Sequence, residues 1–147
     1  MAFHYRLESL LRLQRSIEKQ QENALMACAV RVSALKNEMA GWEEARRERK
    51  RHAAAELIEG STGAALGLAA EWDFAARRKQ KEIALQLVKA EAARNEQMAK
   101  VRAERQKREV LEGLKERLES TFDQEQLRKV QQVMDDMYLT RAFYWKG

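Results

Sequence analysis

Glu59-Gly60-Ser61-Thr62-Gly63-Ala64-Ala65-Leu66-Gly67 holds three of the six glycines in this chain of 147 residues. Clustered glycine with Ser and Thr is turn chemistry, because glycine gives up most conformational freedom in a helix and accepts backbone angles that other residues avoid. Everything on either side favours helix. The chain contains no proline, a residue that costs about 3 kcal/mol in a helix interior, so a nearly all-helical chain has nowhere to put it. Leu, Ala, Glu, Lys, Arg and Gln dominate. This reading predicts one helix over about residues 3–58, a turn over about 59–67 and a second helix over about 68–143. Gly41 and Gly113 lack turn-forming neighbours and are read as helical.

Composition narrows the class. Hydrophobic residues reach 45%, but 23 alanines supply much of that, and 35% of the chain is charged. A thick globular core is excluded, while the resemblance to long helices and coiled coils is close. No apolar run approaches the ~18 residues that span a bilayer. Met1 to Leu13 has no continuous apolar stretch of the kind a secretory signal carries. A single cysteine, Cys28, excludes an internal disulfide and makes a reducing cytoplasm the expected compartment.

Each helix carries an apolar seam. In the first, Phe3, Leu7, Leu10, Gln14, Ile17 and Gln21 alternate steps of four and three. After a one-residue phase slip, Leu25, Cys28, Val32, Leu35, Met39 and Trp42 continue the same rhythm. From Glu43 to Arg51 only Ala45 would maintain it. In the second helix Trp72, Ala76, Lys79, Ile83, Leu87, Ala90, Arg94, Met98 and Val101 form the seam. Arg102 to Glu109 is polar apart from Ala103, and Leu111, Leu114, Leu118 and Phe122 restore the stripe. Glu104 with Arg108 and Glu125 with Lys129 are spaced as favourable i,i+4 ion pairs.

A solvated helix gains little alone, so each stripe needs a partner. The predicted fold is all-α: a long two-helix antiparallel coiled-coil hairpin, one thin rod forming a single domain over 1–147. Folding about Gly63 and Ala64 sets the N-terminus beside Phe122–Gln126. The segment from Glu125 to Gly147 then overhangs.

Sites of chemistry are sparse. Arg46, Arg47, Arg49, Lys50 and Arg51 should face Arg77, Arg78, Lys79 and Lys81. Between Glu43 and Glu82, however, nine cations meet eight anions, so this belt is read as a solvated face, with no nucleic acid as partner. His4 and His52 have no ligand at metal spacing. Asp135-Asp136 would lack a water-excluding pocket to tune it, and no phosphate loop or nucleophile motif occurs. No catalytic residue, metal, cofactor or small-molecule substrate is expected. Cys28 reads as a small core residue. Trp72 and Phe74 are two apart and cannot both face one partner, so one stays exposed near the hairpin tip. Tyr138, Phe143, Tyr144 and Trp145 crowd the overhang, and exposed aromatics at a chain end mark a docking surface.

Three segments carry a family resemblance. Phe3-His4-Tyr5-Arg6-Leu7-Glu8-Ser9-Leu10-Leu11-Arg12-Leu13-Gln14-Arg15 resembles the opening of the FliJ family, the stalk protein of the flagellar type III export ATPase. Gln106 to Arg117 is similar to that family's Lys-x-x-Glu-x-Leu-Glu-x-Leu-Lys-Glu segment, and Gln131 to Arg141 to the stretch ahead of its final Arg. The resemblance implies a non-enzymatic coiled-coil stalk in the cytoplasm, peripherally associated with the inner face of the cell membrane. Its implied partners are a hexameric export ATPase, an export-gate membrane protein and export chaperones. The ring-facing end would use Phe3, Leu7, Leu10, Leu11, Met134, Met137 and Tyr138. The gate or chaperone patch would use Trp72, Phe74, Ile83 and Gln86. The chain departs from the family pattern at Ala75 and Lys79. Alternative readings are the stalk of an injectisome, that of a rotary ATPase, for which the short loop leaves no room for a globular insert, or a nucleic-acid-binding coiled-coil arm.

Overall fold

The computed structural model describes residues 2–60 and 62–146. It contains two helices that pack against each other, α1 (Glu8–Glu59) and α2 (Gly63–Lys146), and no strand among the described residues. The protein is therefore an all-α helical hairpin.

The turn is shorter than the glycine cluster. Gly60 ends α1 with a φ of +93°, a left-handed conformation that glycine adopts without steric cost. Thr62 caps α2: its Oγ1 accepts a hydrogen bond from the Ala65 amide at 3.3 Å. The Leu66 amide donates to the Thr62 carbonyl at 3.2 Å. With the Ala65 and Leu66 amides satisfied, α2 begins at Gly63 rather than near Leu68, and Gly67 lies within it. Ser61, inside the expected turn, lies outside the described residues.

The N-terminal start also differs from expectation. Phe3 to Leu7 precede α1 instead of forming its first turns. Tertiary contacts explain this. The buried Tyr5 donates its phenol to the Leu111 carbonyl at 3.0 Å, and the Phe3 ring lies 5.6 Å from that of Phe122. The arm exchanges a turn of helix for these anchors. Glu8 then opens α1, where an acid complements the helix dipole, and pairs with Lys115 at 2.9 Å.

The chain divides into two compact units. One is Gln20–Arg102, the hairpin around the turn. Its core is Val32, Leu35, Ala76, Ile83 and Val101, all buried. Gln21, Leu25, Cys28, Met39 and Trp42 extend the α1 face half-buried; Trp72, Leu87, Ala90, Arg94 and Gln97 do so on α2. Burying a Leu or Ile side chain contributes ~1.5–3 kcal/mol. The other unit joins the described parts of Met1–Lys19 and Ala103–Gly147. Tyr5 and Leu11 are its buried apolar residues, and Gln14 and Glu18 are buried beside them.

Burial corrects the seam. In α1, with Ile17 and Ala45 half-buried beside it, a line of covered positions runs through Leu11, Gln14, Glu18, Gln21, Leu25, Cys28, Val32, Leu35, Met39, Trp42 and Arg46. They alternate steps of three and four without a slip. The expected slip arose from following exposed Leu10 and half-buried Ile17 instead of their buried neighbours Leu11 and Glu18. In α2, half-buried Gln80 replaces exposed Lys79. Glu104 and Arg108 carry the seam through the stretch expected to lack one.

Those polar positions are paired across the helices. The Gln14 amide donates to the Glu104 carbonyl at 3.1 Å and to its carboxylate at 2.5 Å. Arg108 donates to Glu18 and, at 2.9 Å, to Glu112. The expected Glu104–Arg108 pair is thus replaced: Glu104 binds Gln14 and Lys107, leaving Arg108 to cross to α1. The Gln97 amide donates to the Gln21 side-chain oxygen at 2.6 Å. Arg46 donates to Asp73 at 3.0 Å and to Gln80 at 2.9 Å. A buried polar group is costly only when unpaired, so these layers fit the seam without apolar side chains.

Candidate docking surfaces

The unit formed by both chain ends carries the first surface. Past Phe122 the end of α2 outruns the N-terminal arm. Leu127, Val130, Val133, Met134, Met137, Tyr138, Leu139, Phe143, Tyr144 and Trp145 are all exposed, Trp145 at 89%. Val130, Val133, Met137 and Tyr144 follow Gln126 at heptad spacing, with Leu127, Met134, Tyr138 and Trp145 flanking them. The helical phase that buries one side chain in three or four within the hairpin here leaves an apolar face uncovered.

Beside it lies a groove of about 700 Å³, walled by Phe3, Tyr5 and Leu7 of the arm and by Leu118, Phe122 and Glu125 of α2. Of the residues assigned to a ring-facing end, Phe3 is half-buried against Phe122, while Leu7 and Leu10 remain open to solvent. Met134, Met137 and Tyr138 are fully presented. Leu11 is 0% exposed, packed inside the helix pair, and offers no surface in this state. Tyr5 is the residue that anchors the arm. Its signal was a large side chain with a polar tip, which when buried finds a partner.

Carboxylates in this unit are tuned by their cations. The Lys115 ammonium, hydrogen-bonded to Glu8, holds that carboxyl below its ordinary range. Gln14 does the same for Glu104, with Lys107 adding to it. Desolvation pushes Glu112 up, and the combined hydrogen bonds from Arg15 and Arg108 outweigh it.

The second surface belongs to Gln20–Arg102. Trp72 packs on Trp42 with ring centroids 6.4 Å apart, and the Arg49 guanidinium lies 4.7 Å over the Trp72 ring. Trp72 is therefore a half-buried structural residue, and Phe74, 70% exposed, is the free aromatic of the pair. Ile83 is buried in the core, and Gln86 is exposed. The four patch residues thus divide: Phe74 and Gln86 face solvent, and Trp72 and Ile83 face the helix contact.

Five cations of the basic belt, Arg46, Arg47, Arg51, Arg77 and Lys79, are ion-paired within this unit. Arg46 and Arg77 converge on Asp73, each at 3.0 Å, with the Arg46 hydrogen bond the main cause of that carboxyl's lowered pKa. Arg47 reaches Glu44 at 3.6 Å, Arg51 the same residue at 3.5 Å, and Lys79 pairs with Glu82 at 3.9 Å. Among the described residues no cluster of three His, Cys, Asp or Glu side chains is placed to hold a metal ion. No helix formed by the described residues is long and apolar enough to cross a membrane.

Comparison of the chain with protein-family models, with curated proteins and with solved structures finds no match.

Proposed function

We propose that this protein is a non-enzymatic stalk that couples the hexameric ATPase of the flagellar type III export apparatus to its export gate and export chaperones. In this reading it works in the cytoplasm at the inner face of the cell membrane. The resemblance of Phe3 to Arg15, Gln106 to Arg117 and Gln131 to Arg141 to the FliJ family motivates it. The observation that carries it is the open apolar end of α2 from Leu127 to Trp145, in the same unit as the arm that bears Phe3 and Leu7 and the first turn of α1 that bears Leu10. A stalk tip inside a ring must be held without locking onto one subunit. Loose apolar contacts meet that need better than buried ion pairs, which demand one fixed geometry. The patch facing the gate or chaperones is then Phe74 and Gln86, since Trp72 and Ile83 are engaged within the hairpin.

Truncation after Glu125 tests the reading. The shortened chain should remain a helical hairpin, because the core and polar layers lie before that point, yet fail to stimulate the purified ATPase ring. Phe74→Ala should keep stimulation and weaken gate or chaperone binding. A truncated chain that stimulates as well as the full one would remove the open end from the docking role.

A further inference from the structure

We propose that the exposed stripe of α2 is also a self-association surface, on which a second copy of this chain packs antiparallel with the two-fold axis beside Gln132. The inference stands on the stripe and its charges and holds independently of the ATPase reading.

In heptad terms Leu127, Met134 and Arg141 occupy a positions, and Asp123, Val130, Met137 and Tyr144 occupy d positions. The e and g positions between Gln126 and Trp145 are Gln131, Tyr138 and Trp145, and Gln126, Val133 and Thr140, none of them charged. A face this broad and uncharged matches another such face, whereas narrow coiled coils carry charges at e and g. All these residues are exposed except half-buried Gln126, and the arm lies on another side of α2, against Leu118, Thr121, Phe122 and Glu125.

The charges select the partner and its direction. Among the described residues, Asp123, Arg128, Lys129, Asp135, Asp136 and Arg141 form no ion pair. In an antiparallel pair whose a residues layer on d residues of the other copy, Leu127 meets Met137 and Val130 meets Met134. The same register sets Asp123 of each copy against Arg141 of the other. On one flank it brings Arg128 to the side of Asp135, and on the other Lys129 to the side of Asp136. Asp123 and Arg141 thus meet opposite signs in the core, and the b-position pair Arg128 and Asp135 and the c-position pair Lys129 and Asp136 place opposite signs along the two outer flanks. A parallel, in-register pair would instead stack Asp123 on Asp123 and Arg141 on Arg141 in its core, which is unfavourable. The self-complementarity of one short segment is the signature of an isologous contact. When paired, the stripe is covered, so self-association and any other docking on this face exclude each other.

The test uses the full chain in sedimentation equilibrium across the micromolar range. The wild type should show a monomer–dimer equilibrium. Two double variants, Asp135→Arg with Asp136→Lys and Arg128→Asp with Lys129→Glu, should each self-associate about tenfold more weakly, and an equimolar mixture should regain wild-type affinity. These sites are exposed, and unchanged circular dichroism confirms folding. In a Cys28→Ser background, Val133→Cys, beside the axis, should form an intermolecular disulfide under mild oxidation faster than Met134→Cys. A wild type that stays monomeric, a mixture that fails to recover affinity, or preferential cross-linking through Met134→Cys would each overturn the proposal.

Discussion

Tyr5 and Leu111 are joined by a hydrogen bond of 3.0 Å from the phenol to a main-chain carbonyl 106 residues away. This contact ties the arm ahead of α1 to the middle of α2. Because the Leu111 carbonyl lies within a helix and retains its helical partner, removing the phenol leaves no orphaned acceptor. Tyr5→Phe should therefore cost about 0.5–1 kcal/mol, while Tyr5→Ala, which also empties a buried site, should cost ~3 kcal/mol or more. Urea denaturation, with hydrogen exchange over the first turns of α1, measures both. Equal effects would show that the hydroxyl, and not the ring, holds the arm.

Leu10 and Leu11 are adjacent and differ sharply: Leu11 is fully covered and Leu10 is 46% exposed. Leu11→Ala should destabilise by ~2–5 kcal/mol and Leu10→Ala by less than about 1 kcal/mol. Denaturant midpoints decide it. The reverse order would restore the apolar seam that runs through Leu7 and Leu10.

Glu18 and Arg108 form a paired polar layer within the same unit, with Arg105 a second cation for Glu18 at 3.5 Å. Glu18→Leu alone strands part of the Arg108 guanidinium and should cost about 1–3 kcal/mol. Glu18→Leu combined with Arg108→Met should cost less than either single change, because an apolar pair of similar volume needs no desolvation. A double-mutant cycle measures the coupling. Additive effects would mean that the pair contributes little beyond its separate side chains.

Acid should loosen these contacts in a defined window. Glu8, Glu104 and Glu112 all have lowered carboxyl pKa values in the folded chain, against an ordinary value of 4.5. A lowered folded value means that the stabilisation is complete above 4.5 and is lost as pH falls through the folded values. Urea midpoints should hold steady from neutral pH to about 5 and then fall. A variant with Gln at all three positions should start from a lower midpoint and lose less on acidification. Identical acid profiles for the two proteins would place the acid-sensitive groups elsewhere.

Sequence alone carried the helices, their antiparallel pairing and the location of the turn. Absent proline, abundant helix formers and one glycine cluster act locally, through backbone sterics and conformational entropy, and tertiary context overrides them only at the N-terminal arm. It also located the open end: the aromatics from Tyr138 to Trp145 lie farther along α2 than α1 can reach, which follows from counting residues back from the turn. What only the tertiary structure decided was the phase of the seam and the fate of individual side chains upon it. Glu18, Arg46, Glu104 and Arg108 look like solvent residues when read singly, since a charge is costly to bury alone. Each becomes a seam residue because its partner stands opposite on the other helix, and such partners are distant in sequence. The same holds at the arm, where Phe3 and Tyr5 leave the helix their neighbours would favour. A ring contact and one hydrogen bond to α2 offset the turn of helix forgone, and neither exists until the hairpin has closed.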